Sequence, residues 1–313
     1  GPVRDLLLGR RVLDQDFAVE GDVGVLAERL ATKLGGKLTV HARFNTAKIV
    51  FPDGAVVDLA QTRKEYYPDP ARLPIVLEPG APIREDLARR DFSINAMALR
   101  LNGPAAGELV DPFDGRRDLR RRSIRILHAD SFRDDPVRAF RAVRYAVRYG
   151  CRLDPSTQRA LRELLAHPDY LKTASDRIFD EWRRSFEERK WLETQRALLK
   201  WKLPAWLGIR ETSNRLSLSE VDKSPLPLAG EGQGEGAWIT RWLAFLSLQS
   251  NACRFRTAAR MPFPRSIKKI FSEPIDPRRA IKILNAGGLK PSRAVELLAH
   301  LPPEWIDVLS ALS

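Results

Sequence analysis

Asp14 and Asp16 stand two residues apart in the stretch VLDQDFAVEG, where apolar and polar side chains alternate with period two. On a strand that spacing turns both carboxylates to one face, a few ångströms apart. Two like charges held so close repel unless a cation lies between them. Magnesium suits the position, because it takes hard oxygen ligands and completes its octahedron with water and phosphate. Asp58, in VVDLA, is placed to add a third carboxylate from a neighbouring strand. Taken alone, an Asp-x-Asp is most often a surface or turn pair. Upstream, Gly1 leads into a short helix with Arg4 one turn in. A glycine turn opening a helix offers bare N–H groups and a positive helix end to phosphates; an ordinary surface or Asp-paired arginine is the alternative for Arg4. Further on, Asp135, Arg138, Arg141 and Arg144 recur every three residues, one slowly drifting stripe on a helix. Val137, Phe140, Val143 and Ala146 fall on the other face, leaving the arginine stripe free to line a cleft.

The elements that must carry these groups are legible in outline. The first strand puts Leu13, Gln15 and Phe17 on one face and Asp14, Asp16 and Ala18 on the other. Val23 to Leu34 reads as an amphipathic helix ended by Gly35-Gly36. KLTVHARF, TAKIVFP and AVVDLAQ read as short antiparallel strands, the last two joined by a turn at Pro52-Asp53-Gly54. Pro68, Pro70, Pro74, Pro79 and Pro82 mark a long irregular loop. Arg89-Arg90-Asp91 reads as a helix start with Asp91 as its N-cap. From about Asp134 the pattern becomes helical and stays so, broken by the Pro- and Gly-rich stretch Asp222–Ala237, a flexible insertion or linker. The fold class is therefore α+β, a head with a mixed or antiparallel sheet followed by an all-helical body.

The chain has 313 residues, room for about two domains. A hydrophobic content of 43% excludes wholesale disorder, and no run approaches the ~20 apolar residues of a bilayer helix. Lysine and arginine total 53 against 40 acidic residues, a net charge of +13 that favours nucleic acid, nucleotide phosphates or an anionic surface. Between Arg116 and Arg148 eleven arginines face four aspartates, a density suited to phosphate neutralisation. Cys151 and Cys253 are far apart, which argues against a disulfide framework or zinc ribbon and fits a reducing, cytoplasmic setting. All seven tryptophans fall at or after Trp182, as helix-packing anchors or, alternatively, RNA-stacking platforms. Arg254 to Lys269 carries six basic residues and no acidic one, a solvated face or a phosphate-contacting strip.

GPVRDLLLGR followed by LDQDFAV resembles the opening motif of the class II tRNA nucleotidyltransferase and bacterial poly(A) polymerase family, G-G-x-V-R-D-x-L-L-G-R and then D-x-D. EDLARRDFSINAMA is similar to the family's second motif, with Ser93 for Thr. DPFDGRRDLRRRSIRIL resembles the third, and DDPVRAFRAVRYAVRYG the fourth, with Asp134 for Glu and Tyr145 for Phe. TASDRIFDEWRR resembles the fifth, with Asp176 for Glu. Together the five cover roughly Gly1 to Arg184, in the family's order.

The resemblance implies a DNA polymerase β-like nucleotidyltransferase head over residues 1–115, a helical neck over 116–190 and a helical body and tail over 191–313. The family expects a strand and one more glycine immediately before Gly1. It implies two magnesium ions held by Asp14 and Asp16, with Asp58 as a further catalytic carboxylate. The nucleotide would meet Gly1, Arg4, Arg90 and Asn95. Asp135 and Arg138 would serve as a protein template: an Asp accepts from an exocyclic amino group while an Arg donates to the ring acceptor beside it. ATP and CTP present that pattern and GTP and UTP do not. Arg141 and Arg144 would face the triphosphate or stiffen the stripe. TRKEYYPDPARLPIVLEPGAPIREDLARRDF resembles the flexible loop of CCA-adding and A-adding members, which helps the switch from CTP to ATP. The implied activity is template-free addition of CCA to the tRNA 3′ end from CTP and ATP, with no membrane partner. An A-adding enzyme of a split system and a poly(A) polymerase are the alternatives within the family. A catalytically dead RNA-binding protein is the alternative outside it.

Overall fold

The structure, a computed structural model, describes residues 1–12, 15–207 and 209. Asp14, the insertion expected at Asp222–Ala237 and the basic strip Arg254–Lys269 lie outside the described residues. The chain divides into two compact units: Gly1–Arg138 with Gly150–Arg162, and Ala139–Tyr149 with the residues from Glu163 onward.

In the first unit, α1 (Pro2–Leu7) precedes β1 (Gln15–Val19), α2 (Val23–Leu34), β2 (Lys37–His41), β3 (Thr46–Val50) and β4 (Val56–Gln61). The helix α2 forms where the sequence requires it. The Asp22 side chain accepts from Val25 N at 3.0 Å at its start. Gly35, at φ +70°, ends it in a left-handed conformation that costs a residue with a Cβ about 1–2 kcal/mol. The four strands pair in the order β1-β4-β3-β2, with β1 and β4 parallel and the other two pairs antiparallel. Val23, Ala27 and Ala31, four residues apart on α2, pack onto Ala47, Ile49 and Leu59 of the sheet. Burying a side chain such as that of Ile49 contributes roughly 1.5–3 kcal/mol, and that packing leaves the opposite face of the sheet to carry the carboxylates. The turn between β3 and β4 is the expected one, with Gly54 N donating to Phe51 O and Ala55 N to Asp53 Oδ1, both at 2.9 Å.

The proline-marked segment is not wholly irregular. It contains an antiparallel hairpin of β5 (Arg63–Tyr66) and β6 (Ile75–Pro79). Prolines flank the strands or end the exposed one, where a missing N–H is tolerated. Beyond it come α3 (Ile83–Ala88), a short pair of β7 (Ala98–Leu99) with β8 (Leu109–Val110), α4 (Gly115–Arg120), β9 (Ser123–Ile124), α5 (Ser131–Asp134) and α6 (Val137–Tyr149). A Cβ on Gly115 would stand 2.1 Å from the Ser93 carbonyl oxygen, so α4 can pass this close to the Ser93–Asn95 turn only with glycine there. Among the described residues after Asp134 the helices are interrupted by β10 (Arg152–Leu153), which pairs in parallel with β9 before α7 (Pro155–Ala166).

The second unit is helical throughout its described residues, with α6 from Ala139 onward, α8 (Pro168–Thr173), α9 (Ser175–Glu187) and α10 (Trp191–Lys200). Trp182 is wholly buried beside Phe186, its indole N–H donating to Gln195 Oε1 at 2.8 Å. Trp191 is buried as well, so these two rings act as packing anchors.

Candidate active site

Asp16 of β1 and Asp58 of β4 are register partners on adjacent parallel strands, so both lie on the sheet face that α2 leaves uncovered. Lys48, the antiparallel partner of Asp58 on β3, brings its Nζ to 3.4 Å from Asp58 Oδ1. Both ends of that ion pair are about half exposed, a setting worth under about 1 kcal/mol and easily exchanged. Two adjacent carboxylates on an open face are a donor set that fits a hard divalent cation. Among the described residues no group of three or more His, Cys, Asp or Glu gathers to hold a metal, and Asp14 lies outside them.

Gly1 stands at the N-cap of α1. Arg4, one turn in, is only 5% exposed. Its guanidinium takes Asp5 with two N–H groups, at 3.0 and 2.8 Å, and donates to Asn95 Oδ1 at 2.5 Å. Asn95 in turn donates to Asp91 Oδ1 at 2.8 Å. The chain Arg4, Asn95, Asp91 thus ties the start of α1 to the Ser93–Asn95 turn. Asp91 does not cap a helix as its sequence context suggests. The turn begins at Phe92, whose N–H Asp91 accepts at 2.8 Å, and Asp91 accepts from the Asn95 amide as well.

Asp86 on α3 is 1% exposed and is gripped from two sides, by Arg89 and by Arg90, each at 2.8 Å. Burial alone would push its carboxyl up, but the charges of Arg90 and Arg89 outweigh that and hold it below the usual carboxylate range. Arg90 spends Nη2 on this contact, while its buried Nε has no hydrogen-bond partner. An orphaned buried donor on a cation suits an anionic ligand.

Arg138 and Asp135 form the next group. Asp135 is not on the helix. Pro136 follows it and disfavours helical backbone, so Asp135 is extended at φ −139°, ψ 94°, ahead of α6. Its Oδ2 is 4.0 Å from Arg138 Nε. Arg138 is 4% exposed. It donates from Nη1 to Ser131 Oγ at 3.0 Å, and from Nη2 to Tyr67 OH at 3.2 Å and the Arg89 carbonyl at 2.9 Å. Those three bonds fix the plane of the guanidinium and leave two of its five N–H donors, Nε among them, outside them. Nearby, His128 Nε2 lies 3.9 Å from Asp134 Oδ2. Burial pushes His128 down and Asp134 up from their ordinary values.

Within the second unit, Arg141 Nε donates to Glu181 Oε2 at 3.1 Å, and Arg144 donates to Glu181 Oε1 at 2.7 and 2.6 Å and to Glu188 Oε1 at 2.8 Å. Arg148 holds Glu188 as well, at 2.9 Å. Arg144 and Glu181 are 5% and 2% exposed. The stripe is therefore not an open arginine face. Arg138 and Arg144 are interior, and Arg144 is occupied by carboxylates of α9 and the residue that ends it.

Sequence reasoning passed over Tyr67, Ser131 and Asp86, which fix the orientation of Arg138 and Arg90. One signal was present: Arg63, Glu65 and Tyr67 alternate as strand residues do, and Arg63 and Arg89 do meet on Glu65, at 2.6 and 3.4 Å.

Residues 1–125 match the family described as the poly A polymerase head domain. An A-adding tRNA nucleotidyltransferase of Geobacter sulfurreducens is 43% identical over 181 residues, covering 58% of this chain and 20% of that protein. A CC-adding tRNA nucleotidyltransferase of Deinococcus radiodurans is 45% identical over 177 residues, 56% of this chain and 45% of that one. The matched part of the chain thus spans less than half the length of these curated relatives. A solved CCA-adding enzyme in its apo form superposes with a TM-score of 0.79 at 28% identity, covering 99% of this chain and 76% of that one. No helix among the described residues is long and apolar enough to cross a membrane. With the mixed sheet, the paired carboxylates and the Arg138–Asp135 pair in place, the first 125 residues are similar to the poly A polymerase head domain, and the chain has the fold of the CCA-adding enzymes.

Proposed function

We propose that the protein adds CCA to the 3′ end of tRNA from CTP and ATP without a nucleic-acid template. The observation that carries this reading is the Asp135–Arg138 pair. A carboxylate acceptor and a guanidinium donor stand 4.0 Å apart, the guanidinium held by three hydrogen bonds. Asp135 accepts from the exocyclic amino group of adenine or cytosine while Arg138 donates to the ring nitrogen beside it. Guanine and uracil offer the opposite pattern and leave both groups unpaired, which costs discrimination of several kcal/mol (~1–3 per group).

Asp14, Asp16 and Asp58 are the residues that would hold magnesium. When bound, it supplies Lewis-acid activation of the RNA 3′-hydroxyl and charge neutralisation on the leaving pyrophosphate. The hydroxyl gives its proton to solvent, its oxygen bonds to the α-phosphorus as the bond from that phosphorus to the bridging oxygen breaks, and pyrophosphate departs. Arg90 offers its unpaired Nε to the nucleotide's phosphates or ribose. Arg4, through Asn95, fixes the turn at Gly1 rather than contacting phosphate directly. Arg141 and Arg144 hold the helix that carries Arg138. Residues 1–115 act as the catalytic head, 116–190 as a helical neck that presents the base template and binds RNA, and 191–313 as a helical body and tail, in a cytoplasmic setting.

A second reading, addition of the terminal A alone, is favoured by the 43% identity to an A-adding relative. Incorporation of labelled CTP and ATP by the full-length protein, with magnesium, onto tRNAs lacking CCA, CA or only A separates the two. Growth of the bare tRNA by two C and one A supports the first. Extension of the CC-ending tRNA alone, by a single A, supports the second. No incorporation on any of the three contradicts both.

A further inference from the structure

The β5–β6 hairpin touches the base-reading segment at two points. Tyr67, the residue after β5, accepts a hydrogen bond from Arg138 Nη2 at 3.2 Å, and the guanidinium carbon lies 5.7 Å from the centre of its ring. Four residues on, the Ala71 N–H donates to the Arg133 carbonyl at 2.8 Å, two residues ahead of Asp135. Ala71 is buried and adopts φ +62°, a conformation costing an L-residue about 1–2 kcal/mol. A strained residue inside a contact persists only where its surroundings hold it there. The hairpin is therefore docked on this segment, although β6 itself is exposed along its whole length.

Beside Arg138 lies a cavity of about 440 Å³, lined among others by Tyr67, Glu65, His128 and Asp134. Two of these are carboxylates, either of which could draw a guanidinium away from Asp135. Of the groups that hold Arg138 back, Ser131 lies on α5 and the Arg89 carbonyl is main chain, and both are fixed by the fold. The Tyr67 hydroxyl is the one supplied by the hairpin. Burial pushes the phenol up from its ordinary value, so it stays protonated through the neutral range and its oxygen remains a neutral acceptor.

We propose that Tyr67 is a positioning residue for base selection, whose hydroxyl keeps the Arg138 guanidinium turned toward Asp135 and out of the adjoining cavity. This rests on the reading of Arg138 as the residue that meets the base. Loss of the hydroxyl leaves the phosphate contacts of the nucleotide intact and loosens only the donor that reads its edge. The effect therefore falls on discrimination between nucleotides, not on the capture of their triphosphates.

The test measures kcat and KM for ATP, CTP, GTP and UTP with the full-length protein and Tyr67→Phe, on tRNAs lacking CCA or only A, alongside inhibition by inorganic tripolyphosphate. Phenylalanine keeps the ring and removes the hydroxyl. The expected result is about a tenfold fall in the preference for ATP and CTP over GTP and UTP, with tripolyphosphate inhibition unchanged. Tyr67→Gln and Tyr67→Leu form a second pair of similar size. The amide oxygen of glutamine can accept from Arg138 and restores part of the preference, and leucine does not. Unchanged preference in Tyr67→Phe, or equal behaviour of the Gln and Leu variants, overturns the role of Tyr67 while leaving the nucleotidyltransferase reading intact. A uniform loss for all four nucleotides together with weaker tripolyphosphate inhibition also overturns it, since that is the signature of a merely structural residue. Absence of any incorporation by the unaltered protein overturns both readings together.

Discussion

Arg144 Nη2 lies 2.6 Å from Glu181 Oε1, and both side chains are almost wholly removed from water. Together with Arg141, Glu188 and Arg148 they form a run of alternating charges in which each carboxylate is shared by two arginines. Glu181→Ala would leave Arg144 buried beside a single remaining carboxylate. Removing one partner of such a pair costs about 3–5 kcal/mol. Urea denaturation should show a loss of that size in the Glu181→Ala protein. A loss below about 1 kcal/mol would mean the network is solvated and does not hold the helix.

Asp16 and Asp58 are placed together by the β1–β4 register. Asp16→Asn and Asp58→Asn keep side-chain volume and remove the charge a divalent cation needs. Each should lower turnover by roughly three orders of magnitude, with nucleotide affinity in the absence of metal little changed. Lys48→Ala, which removes only the exposed counter-ion of Asp58, should change turnover by less than about threefold.

Gly115→Ala places a methyl 2.1 Å from the Ser93 carbonyl oxygen, main chain against main chain, with no flexible side-chain end to give way. Forced separation of α4 from the Ser93–Asn95 turn would also disturb the Ser93 Oγ to Asp118 bond at 2.7 Å. A loss of about 3 kcal/mol is expected from the thermal or urea transition. A fully stable Gly115→Ala protein would contradict this close approach.

The acid limb of stability has an identified contributor. The Asp86 carboxyl is held below its ordinary value in the folded protein by Arg90 and Arg89, against the effect of burial. Its contribution is complete above the ordinary carboxylate range, where the unfolded chain is ionised too. It is lost as pH falls through the lowered folded value, because the unfolded chain takes up its proton first. Asp86→Asn should therefore be less stable than the unaltered protein at pH 7 and show a shallower decline below about pH 4. Parallel acid limbs in the two proteins would remove Asp86 from this role.

Much of the head was readable because its signals are local. The cap at Asp22, the four-residue spacing of Val23, Ala27 and Ala31 and the stop at Gly35 specify α2 almost to the residue. Strand alternation likewise puts Asp16 and Asp58 on one face. What was not readable depends on partners far away in the chain. A stripe of arginines at three-residue spacing has the appearance of a solvated face. Glu181 and Glu188, 37 and 44 residues beyond Arg144, enclose that arginine. In the same way Tyr67 meets Arg138 across 71 residues, and no spacing near either residue reports it. The hairpin was hidden for a different reason. Its prolines are turn signals, but on an exposed two-stranded ribbon they are tolerated beside the ladder rather than excluded from it.

The most direct test of the central claim, that Asp135 and Arg138 read the incoming base, is single-nucleotide addition by the full-length protein to a tRNA ending in CC. Each of the four triphosphates is offered alone with magnesium. One A should be added, with GTP and UTP used at least about a hundredfold less efficiently, and that preference should be lost in Arg138→Lys, whose point charge cannot present two fixed donors. Comparable use of GTP or UTP by the unaltered protein, or full selectivity in Arg138→Lys, would contradict it.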